Sequence, residues 1–427
     1  MSVDLDVDVV RKDLLAARAK VRKGKPADAG EVTPSLVASP GSTEEAAAVM
    51  RVAAEYELAV VARGAGSRLS WGNPASRCDL VIDLSRMSSV VEHSHGDLVA
   101  QVQAGARMRD VQAALARAGQ EIALDVPGDA SVGGVVASGL AGPRRLRYGT
   151  PRDLMIGITI VRADGTIAKS GGKVVKNVAG YDLGKLFAGS AGTLGLITEV
   201  TFRLHPLPAA RVYVTAEYIA VSVACDAVAA AANSPLVSSA VELSRAEPGG
   251  PIKVGVLLEG SADGVTARAT RMADLLGTGI VAKTAPDWWP AAPQASPGET
   301  LIRVSFWVSA LSRALDAIEA AAAKTGVSPL TEGSAGAGVL YVGVHSGGPG
   351  AAASAGAVAE FVGALRSAVA GERGAVVVLT APAAVRAELA RHGGMHGTVP
   401  GLALMRAVKD QFDPDHRMAP GRFPEQA

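Results

Sequence analysis

The chain has 427 residues, 48% of them hydrophobic, which is enough for more than one domain with a buried core. Its 42 lysines and arginines nearly balance its 41 aspartates and glutamates, so a net charge of +1 gives no general attraction to nucleic acid or to an anionic membrane. The cysteines, Cys78 and Cys225, are too few and too far apart for a disulfide framework or an iron–sulfur cluster. The acidic N-terminus lacks the pattern of an export signal, and we expect a cytoplasmic protein without a membrane span.

The first predicted helix begins near Ser42 or Thr43, where two glutamates precede an alanine-rich periodic run. A short buried strand, Leu58–Ala62, then ends in the first glycine loop, Arg63-Gly-Ala-Gly-Ser-Arg68. Trp71-Gly-Asn-Pro74 follows and cannot begin a helix, whereas a Rossmann dinucleotide site needs a helix directly after its glycines. Taken alone, this loop is more typical of an ordinary turn than of a Rossmann site.

An alternating pair of strands, residues 89–92 and 98–103, predicts a hairpin with His93 and His95 at its tip. Two histidines in a polar turn are far more often solvated than bound to a metal. A helix is then predicted over Met108–Gly119, since its apolar residues recur at helical spacing.

The second glycine loop is Pro127-Gly-Asp-Ala-Ser-Val-Gly-Gly134, in which Asp129 and Ser131 are good N-cap residues for a short helix of small residues. The unsatisfied N–H groups of a helix start favour a phosphate or carbonyl oxygen. The same glycines also suit a helix packed closely against a sheet. Both interpretations stay open for this segment.

A strand from Leu154 runs into the hairpin turn Ala163-Asp-Gly-Thr166. The third glycine loop, Gly189-Ser-Ala-Gly-Thr-Leu-Gly-Leu-Ile197, leads into an alternating strand that ends near Leu204, and Pro208 closes the first half. Glycine allows backbone N–H groups to approach a ligand closely. Three such loops that converge would line one long anionic ligand, for which a dinucleotide is the expected class.

The second half differs in its predicted elements. A strand, a helix, two strands and a helix over residues 211–276 are followed by a similar order, strand–helix–strand–helix–strand, over residues 301–379. This order predicts a duplicated ferredoxin-like sheet with helices on one face. Asp287-Trp-Trp-Pro290 lies between the two repeats. It suits a contact site for a partner, but such a pair more often packs against its own domain.

Several further segments, together with the glycine loops, resemble the FAD-binding half of vanillyl-alcohol-oxidase (PCMH-type) flavoproteins, and more narrowly the FAD-binding subunits of bacterial glycolate oxidase. These segments are Gly149–Gly157, Lys173–Leu183, Lys409–Pro414 and Pro420–Phe423. The resemblance implies an α+β fold with a PCMH-type FAD-binding domain and a ferredoxin-like cap. We predict a leader at 1–33, the FAD-binding domain at 34–208, the cap at 209–400 and a C-terminal segment at 401–427 that returns to the flavin.

The resemblance also implies which residues bind FAD. The first loop would hold the pyrophosphate and the second would flank the flavin, while Gly139, Gly149 and Asp153 would shape the adenosine and ribityl channel. The predicted contacts are Arg63, Gly64, Ala65, Gly66, Ser67, Arg68, Pro127, Gly128, Ser131, Val132, Gly133, Gly134, Gly139, Gly149, Asp153, Gly192, Gly195, Ile197 and Arg422.

The mode of attachment follows from one position. Relatives with covalent flavin carry histidine where this chain has Ser67, and a hydroxyl cannot form the imidazole–flavin bond, so we expect FAD to be bound non-covalently. A branched side chain in place of Gly66 or Gly133 is expected to abolish FAD retention, because it would occupy the approach of the phosphate.

The resemblance implies oxidation of a small 2-hydroxy acid, such as glycolate or D-lactate. This chemistry needs a hydride acceptor, a base near the hydroxyl and a cation for the carboxylate. The candidates for the last two roles are Arg303, Tyr341, His345, Arg391, His392, His396 and Arg406. Gly393-Gly394 disfavours a helix that would bring His392 and His396 to one metal, so no metal site is predicted.

Because the chain has no cluster-forming cysteines, its electrons must leave to an acceptor outside it. The resemblance implies a second FAD subunit and an iron–sulfur subunit as partners, through which the protein would lie at the inner membrane. Two alternatives stay open: a flavin-carrying assembly or electron-relay subunit without its own substrate site, and a stand-alone 2-hydroxy-acid dehydrogenase.

Overall fold

The structure of the chain is a computed structural model that describes residues 6–173, 181–290, 293–345, 353–370 and 374–424. Residues 174–180 of the Lys173–Leu183 motif therefore lie outside the described residues. The chain divides into two compact units. Unit 1 consists of residues 1–141, 150–207 and 400–425, and unit 2 of residues 142–149 and 208–399 with the last two residues of the chain.

The helices and strands of the described residues follow in chain order. The α-helices are α1 (Val7–Ala16), α2 (Thr43–Glu55), α3 (Met108–Ala116), α4 (Val132–Ser138), α5 (Arg145–Tyr148), α6 (Pro151–Leu154), α7 (Val221–Asn233), α8 (Ala262–Leu275), α9 (Leu311–Thr325), α10 (Ala355–Val369), α11 (Ala383–Leu389) and α12 (Leu402–Phe412). The strands of unit 1 are β1 (Lys20–Lys23), β2 (Leu36–Ser39), β3 (Val60–Arg63), β4 (Leu80–Asp83), β5 (Val90–Ser94), β6 (Val99–Gln103), β7 (Gln120–Glu121), β8 (Met155–Val161), β9 (Ile167–Gly171), β10 (Leu196–Arg203) and β11 (His205–Pro206). Those of unit 2 are β12 (Ala210–Tyr218), β13 (Ala240–Arg245), β14 (Ile252–Gly260), β15 (Ile280–Ala282), β16 (Glu299–Ser305), β17 (Leu330–Gly333), β18 (Val339–His345) and β19 (Ala375–Thr380).

The first sheet of unit 1 has the order β1-β2-β4-β3, with β2, β4 and β3 parallel and β1 antiparallel at the edge. Part of the segment predicted as a leader is built into this unit. It supplies β1, and α1 buries Val10 and Leu14 in the core. The hydroxyl of Tyr56, which ends α2, donates to Asp13 at 2.6 Å and ties α1 to α2.

The second sheet of unit 1 is antiparallel, in the order β5-β6-β10-β8-β9. Its turns include both predicted hairpins. Val161 pairs with Ile167 across the Ala163–Thr166 turn, and Ser94 pairs with Val99 across the turn that carries His95. A single 3-10 turn, Leu183–Leu186, precedes the third glycine loop. The helices α2 and α4 contact this sheet and share one large core with it, while a smaller cluster around Val37 and Val81 lies apart.

Unit 2 contains one sheet of eight strands, in the order β15-β12-β14-β13-β17-β18-β16-β19. Each half has the ferredoxin-like order in which the first strand lies between the fourth and the third, and β13 joins β17 at the centre. The predicted duplicated ferredoxin-like sheet is therefore confirmed. The helices α7, α8, α9 and α10 cover one face and share its core, while polar and aromatic residues alternate onto the other face.

The two adjacent tryptophans pack against unit 2 itself. A Cβ on Gly255 of β14 would lie 2.7 Å from the Trp288 ring and 2.9 Å from the Trp289 ring, so glycine is needed beneath them. Trp289 also meets Tyr213 of β12 edge to face, with ring centroids 4.9 Å apart. The prediction that this pair packs on its own domain is confirmed. None of the described helices is both long and apolar enough to cross a bilayer.

Candidate functional site

The first and second glycine loops of unit 1 meet at the hydroxyl of Ser131. The Ala65 amide donates to Ser131 Oγ at 3.2 Å, and the same oxygen caps α4 by accepting from Gly134 N at 3.3 Å. A Cβ on Gly64 would lie only 2.1 Å from Ser131 Oγ. Glycine at position 64 is therefore required by the contact between the two loops.

The first loop leaves backbone donors available. Gly66 has a φ of +77°, a conformation that strains other residues. Within the described residues, the amide groups of Gly66 and Ser67 donate to no protein acceptor. Arg63, by contrast, is neutralised by ion pairs to Asp28 and, at 3.5 Å, to Asp83. The loop can therefore offer N–H groups more readily than the Arg63 guanidinium to an anion.

The amides at the start of α4 are occupied. Val132 N donates to Ala106 O at 2.9 Å and Gly133 N to Ala104 O at 2.7 Å, so neither is available to a phosphate. A Cβ on Gly133 would lie 2.8 Å from the Ala104 Cβ. Of the two interpretations of this segment, the structure supports a helix packed closely on a sheet. We expected Gly133 to be needed for the approach of a phosphate, but in the structure it is needed for the packing of α4 against Ala104.

The third loop lies against the other two. Gly189 N donates to Val136 O and Ala191 N to Ala137 O, at 2.9 and 2.8 Å, which joins this loop to the last turn of α4. Gly192, with a φ of +78°, lies where an added Cβ would be 4.0 Å from Ala62 of β3, directly before the first loop. The three predicted loops thus converge within unit 1.

The C-terminal segment is bound to the same region. Arg422 is buried and donates to Leu69 O at 2.8 Å and to Trp71 O at 2.7 Å, directly after the first loop. Met418 bridges to Val60 of β3. Lys409, also buried, donates to Thr193 O in the third loop at 2.6 Å and forms an ion pair with Asp413. The motifs predicted to return to the flavin therefore hold the ends of two glycine loops.

The other predicted cofactor residues have the following positions. Gly128 O accepts from Arg109 N at 2.9 Å, and Pro127 O accepts from Ala130 N, so both shape the approach to α4. Ile197 is buried on β10, and Gly195 and Arg68 lie in the third and first loops, where Arg68 stacks on Trp71. Gly139, with a φ of +65°, ends α4.

Gly149 and Asp153 differ in their surroundings. Gly149 ends α5 in unit 2. Asp153 caps α6 in unit 1 by accepting from Thr150 N at 2.8 Å. Burial raises the pKa of Asp153, but the hydrogen bonds from Thr150 lower it below its usual value, which keeps the carboxylate ionised.

This arrangement fits an extended diphosphate-containing ligand. Free N–H groups lie beside Gly64, where a side chain would overlap Ser131, and at Gly66, whose φ of +77° favours glycine. A pyrophosphate needs such donors at short range. A net charge of +1 means that geometry and local donors, rather than a general basic surface, would hold the ligand. The free amides of the first loop suit an FAD pyrophosphate, and the third loop lies beside that loop.

In unit 2, the structure brings two of the predicted catalytic candidates into direct register. Arg303 of β16 lies opposite Tyr341 of β18, on the sheet face away from the helices. Opposite residues in an antiparallel pair have neighbouring side chains. Burial lowers the pKa of the Arg303 guanidinium, and its Nε has no hydrogen-bond partner within the described residues. This cation is suited to an anionic ligand.

His396 belongs to the same neighbourhood. Burial, with the positive charges of Arg366 and Arg303, lowers its pKa below the ordinary histidine value, so its ring is neutral near pH 7. The preceding residue, Met395, accepts from Val378 N of β19 at 2.8 Å, which fixes the segment beside the strand that neighbours Arg303. A neutral, half-buried imidazole can accept a proton.

The remaining candidates are not gathered into this group. His345 is exposed at the end of β18, and Arg391 is exposed and forms an ion pair with Glu388 at 3.1 Å. His392 lies beside Gly363 of α10, and Arg406 is exposed on α12 of unit 1. Among the described side chains, no group of three His, Cys, Asp or Glu is arranged to hold a metal.

Two residues absent from the sequence-based candidates join Arg303 and Tyr341. Arg145 Nη2 donates to Tyr341 Oη at 2.9 Å. Glu332 lies opposite Tyr341 on β17, and burial and the charge of Glu299 raise its pKa. Neither residue belongs to a motif, and their proximity depends on sheet register and on where residues 142–149 pack. The sequence carries no local signal for it.

Comparisons with known proteins agree with the geometry. Residues 34–171 match the family described as FAD binding domain. The chain is 33% identical over 215 residues to glycolate oxidase subunit GlcD of Bacillus subtilis, covering 49% of this chain and 45% of that protein. It is 30% identical over 245 residues to the mitochondrial D-lactate dehydrogenase [cytochrome] of Arabidopsis thaliana, covering 57% and 42%. The chain thus spans less than half the length of these curated relatives.

A solved structure extends the likeness to the whole fold. The crystal structure of p-cresol methylhydroxylase with substrate bound has a TM-score of 0.70 at 16% identity, over 92% of this chain and 89% of that one. At this identity the match concerns the fold alone. Together these matches confirm the resemblance predicted from the sequence, its α+β fold class and FAD as the cofactor.

Proposed function

We propose that this chain, which contains an FAD binding domain in residues 34–171, is an FAD-dependent oxidoreductase that oxidises a small 2-hydroxy acid. The observation that supports this most is the group formed by Arg303, Tyr341 and His396 in unit 2. A cation, a hydroxyl and a neutral base are the groups that binding and deprotonating a 2-hydroxy acid requires. The relation to a glycolate oxidase subunit and a D-lactate dehydrogenase supports glycolate or D-lactate as substrate.

Bound FAD supplies the hydride acceptor for this reaction. Arg303 binds the substrate carboxylate and Tyr341 hydrogen-bonds to the substrate. His396 accepts the proton of the α-hydroxyl as the C–H bond at the same carbon gives up its hydride. The product is the 2-oxo acid, so one proton and one hydride leave the substrate for each C=O bond that forms.

The FAD is held without a covalent bond. The first loop has Ser67 where an imidazole would be needed, and Gly66 and Ser67 carry amide donors suited to the pyrophosphate. The third loop and Arg422 hold this loop in position. Because these contacts to FAD are all non-covalent, denaturing the protein is expected to release the FAD.

The two electrons leave to partners. The relation to a glycolate oxidase subunit supports a place in a multi-subunit complex. A second FAD subunit and an iron–sulfur subunit, which the sequence resemblance implies, are the partners we propose, and they would place the protein in the cytoplasm beside the inner membrane. A relay subunit without its own substrate site is disfavoured by the Arg303–Tyr341–His396 group, since a pure carrier has no use for it.

An anaerobic mixing experiment tests the proposal. The purified holoprotein is mixed with glycolate, D-lactate or D-2-hydroxyglutarate while the visible flavin absorbance is followed. Bleaching by one of these acids, but not by the corresponding 2-oxo acid, is the expected result. A flavin that stays oxidised with all three, although dithionite bleaches it, would contradict a substrate site in this chain.

A further inference from the structure

Residues 142–149 interrupt unit 1 in sequence but belong to unit 2. Their short helix, α5, contacts β13, and Leu146 lies where a Cβ on Gly336 would come within 3.4 Å of it. The helix of this segment is therefore packed against β13 and the turn that carries Gly336.

Glu259 of β14 anchors this segment at both ends. Its carboxylate, which is 1% exposed, accepts from Arg144 Nη1 at 3.3 Å and from Tyr148 Oη at 3.1 Å, and Arg211 Nε completes the group at 2.9 Å. Burial raises the pKa of Glu259, but the charge of Arg144 and the Arg211 contact lower it overall, so the carboxylate is ionised. The two anchored residues flank Arg145 and restrict where its side chain reaches.

Arg145 and Arg303 both lie beside the Tyr341 side chain. Arg145 donates to the Tyr341 hydroxyl at 2.9 Å, and Arg303 is the cross-strand neighbour of Tyr341. Burial, together with the charge of Arg145, lowers the pKa of the Arg303 guanidinium. Like charges in a half-buried position repel, and an anion placed between them would relieve both.

We infer that Arg145, Arg303 and Tyr341 together bind the carboxylate of the substrate, and that Glu259 is a positioning residue that holds Arg145 in place through α5. The inference rests on the proposed function and deepens it. Each guanidinium presents a planar set of donors that matches two carboxylate oxygens, which a lysine would not do.

Oxalate, which has carboxylates but no oxidisable C–H bond, is the probe. It is titrated into the holoprotein by calorimetry, with flavin content and near-UV circular dichroism as checks of folding. Arg145→Ala is expected to weaken oxalate binding about 10- to 100-fold, since hydrogen bonds to a charged group are lost. Arg271→Ala, which removes the same charge from an exposed position of α8 in the same unit, should change it less than about 2-fold.

Two further variants separate binding from positioning. Arg145→Lys keeps the charge but not the planar donors, and is expected to give an intermediate loss even if Arg145→Ala fails to fold. Glu259→Gln should also weaken oxalate binding, and should raise KM more than it lowers kcat. Glu319→Gln, which breaks the Arg245–Glu319 ion pair of the same unit, serves as its control.

The outcomes separate the inference from the proposed function. Equal oxalate affinity in Arg145→Ala, Arg145→Lys and the wild type would overturn the role of Arg145. If a 2-hydroxy acid still bleached the wild-type flavin, the proposed function would stand without it. A wild type that neither binds oxalate nor is bleached by any of the three acids would contradict both.

Discussion

Units 1 and 2 build their sites from different parts of the polypeptide. The candidate cofactor site of unit 1 consists of main-chain groups of the first glycine loop, which the second loop contacts through Ser131 and Arg422 holds at its end. The candidate substrate site of unit 2 consists of side chains on strands, with Arg303 and Tyr341 aligned by sheet register. A site made of backbone tolerates few changes at its glycines, whereas a site made of side chains depends on the identity of single residues.

The largest effect is expected for Gly64→Ala, which tests the backbone-built site. The new Cβ would overlap Ser131 Oγ, and such overpacking costs about 1–3 kcal/mol and separates the first two loops. The purified variant should contain little FAD, as measured by the ratio of flavin to protein absorbance. Gly96→Ala, at a hairpin tip of the same unit with open space around it, is the matched control. Full flavin content in Gly64→Ala would show that the loops need not touch.

His396→Asn tests whether unit 2 depends on single side chains. Loss of the base should lower kcat about 10²- to 10⁴-fold while FAD remains bound. Because the pKa of His396 is lowered, the acid limb of kcat/KM in the wild type should lie below about pH 6.5 and be absent from the variant. In the wild type, His396 takes up a proton at a higher pH in the unfolded state than in the folded state. The free energy of unfolding should therefore also fall as the pH drops through that region. An unchanged pH profile in the variant would exclude His396 as the base.

Arg303→Ala removes the cation. We expect KM for the 2-hydroxy acid to rise about 30-fold or more, because a buried charged contact to the substrate is lost. Arg271→Ala, an exposed arginine on α8, should leave KM unchanged. Steady-state kinetics with an artificial electron acceptor measure both. A normal KM in Arg303→Ala would show that Arg303 does not bind the substrate carboxylate.

Arg422→Ala tests how much the backbone site of unit 1 depends on a supporting side chain. The loss of two donors to Leu69 and Trp71 should weaken FAD binding roughly 10-fold without abolishing it. Flavin fluorescence during titration of the apoprotein measures the affinity. Arg77→Ala, whose side chain is 61% exposed in an ion pair with Asp79, is the control. Equal FAD affinities in both variants would show that Arg422 does not support the FAD site.

The smallest effect on cofactor binding is expected for Gly133→Ala. Its Cβ would meet Ala104 rather than a ligand, so the free energy of unfolding should fall by about 1–3 kcal/mol. The folded fraction should keep its FAD. Differential scanning calorimetry of holoprotein and apoprotein gives both values. Loss of FAD at unchanged stability would instead restore the phosphate interpretation of the second loop.

Features that depend on local sequence patterns could be predicted from the sequence, and contacts between distant residues could not. The three loops, the hairpin at Ala163–Thr166 and the duplicated sheet depend on patterns local in sequence, and each was predictable. The choice between the two roles of Gly133 was not, because a glycine beside a phosphate and a glycine beside Ala104 look alike in a sequence. Arg145 was missed because its contact with Tyr341 spans 196 residues. The predicted FAD contacts and domain boundaries stay predictions.

The N-terminal segment shows a further limit. The helix α1 is mostly polar and buries only Val10 and Leu14, so its pattern resembled a leader rather than part of a core. The strand β1 likewise has no apolar alternation, and edge strands often lack it. Segments that complete a unit from its edge carry weak sequence signals even when their packing is well defined.

The most direct test of the central claim, that the glycine loops of this chain form a non-covalent FAD site, is reconstitution. The apoprotein is titrated with FAD while the quenching of flavin fluorescence is followed, and the holoprotein is then precipitated with acid. We expect saturation at one FAD per chain and release of all the flavin into the supernatant. A folded apoprotein that does not quench FAD, or flavin that stays with the precipitate, would contradict the account.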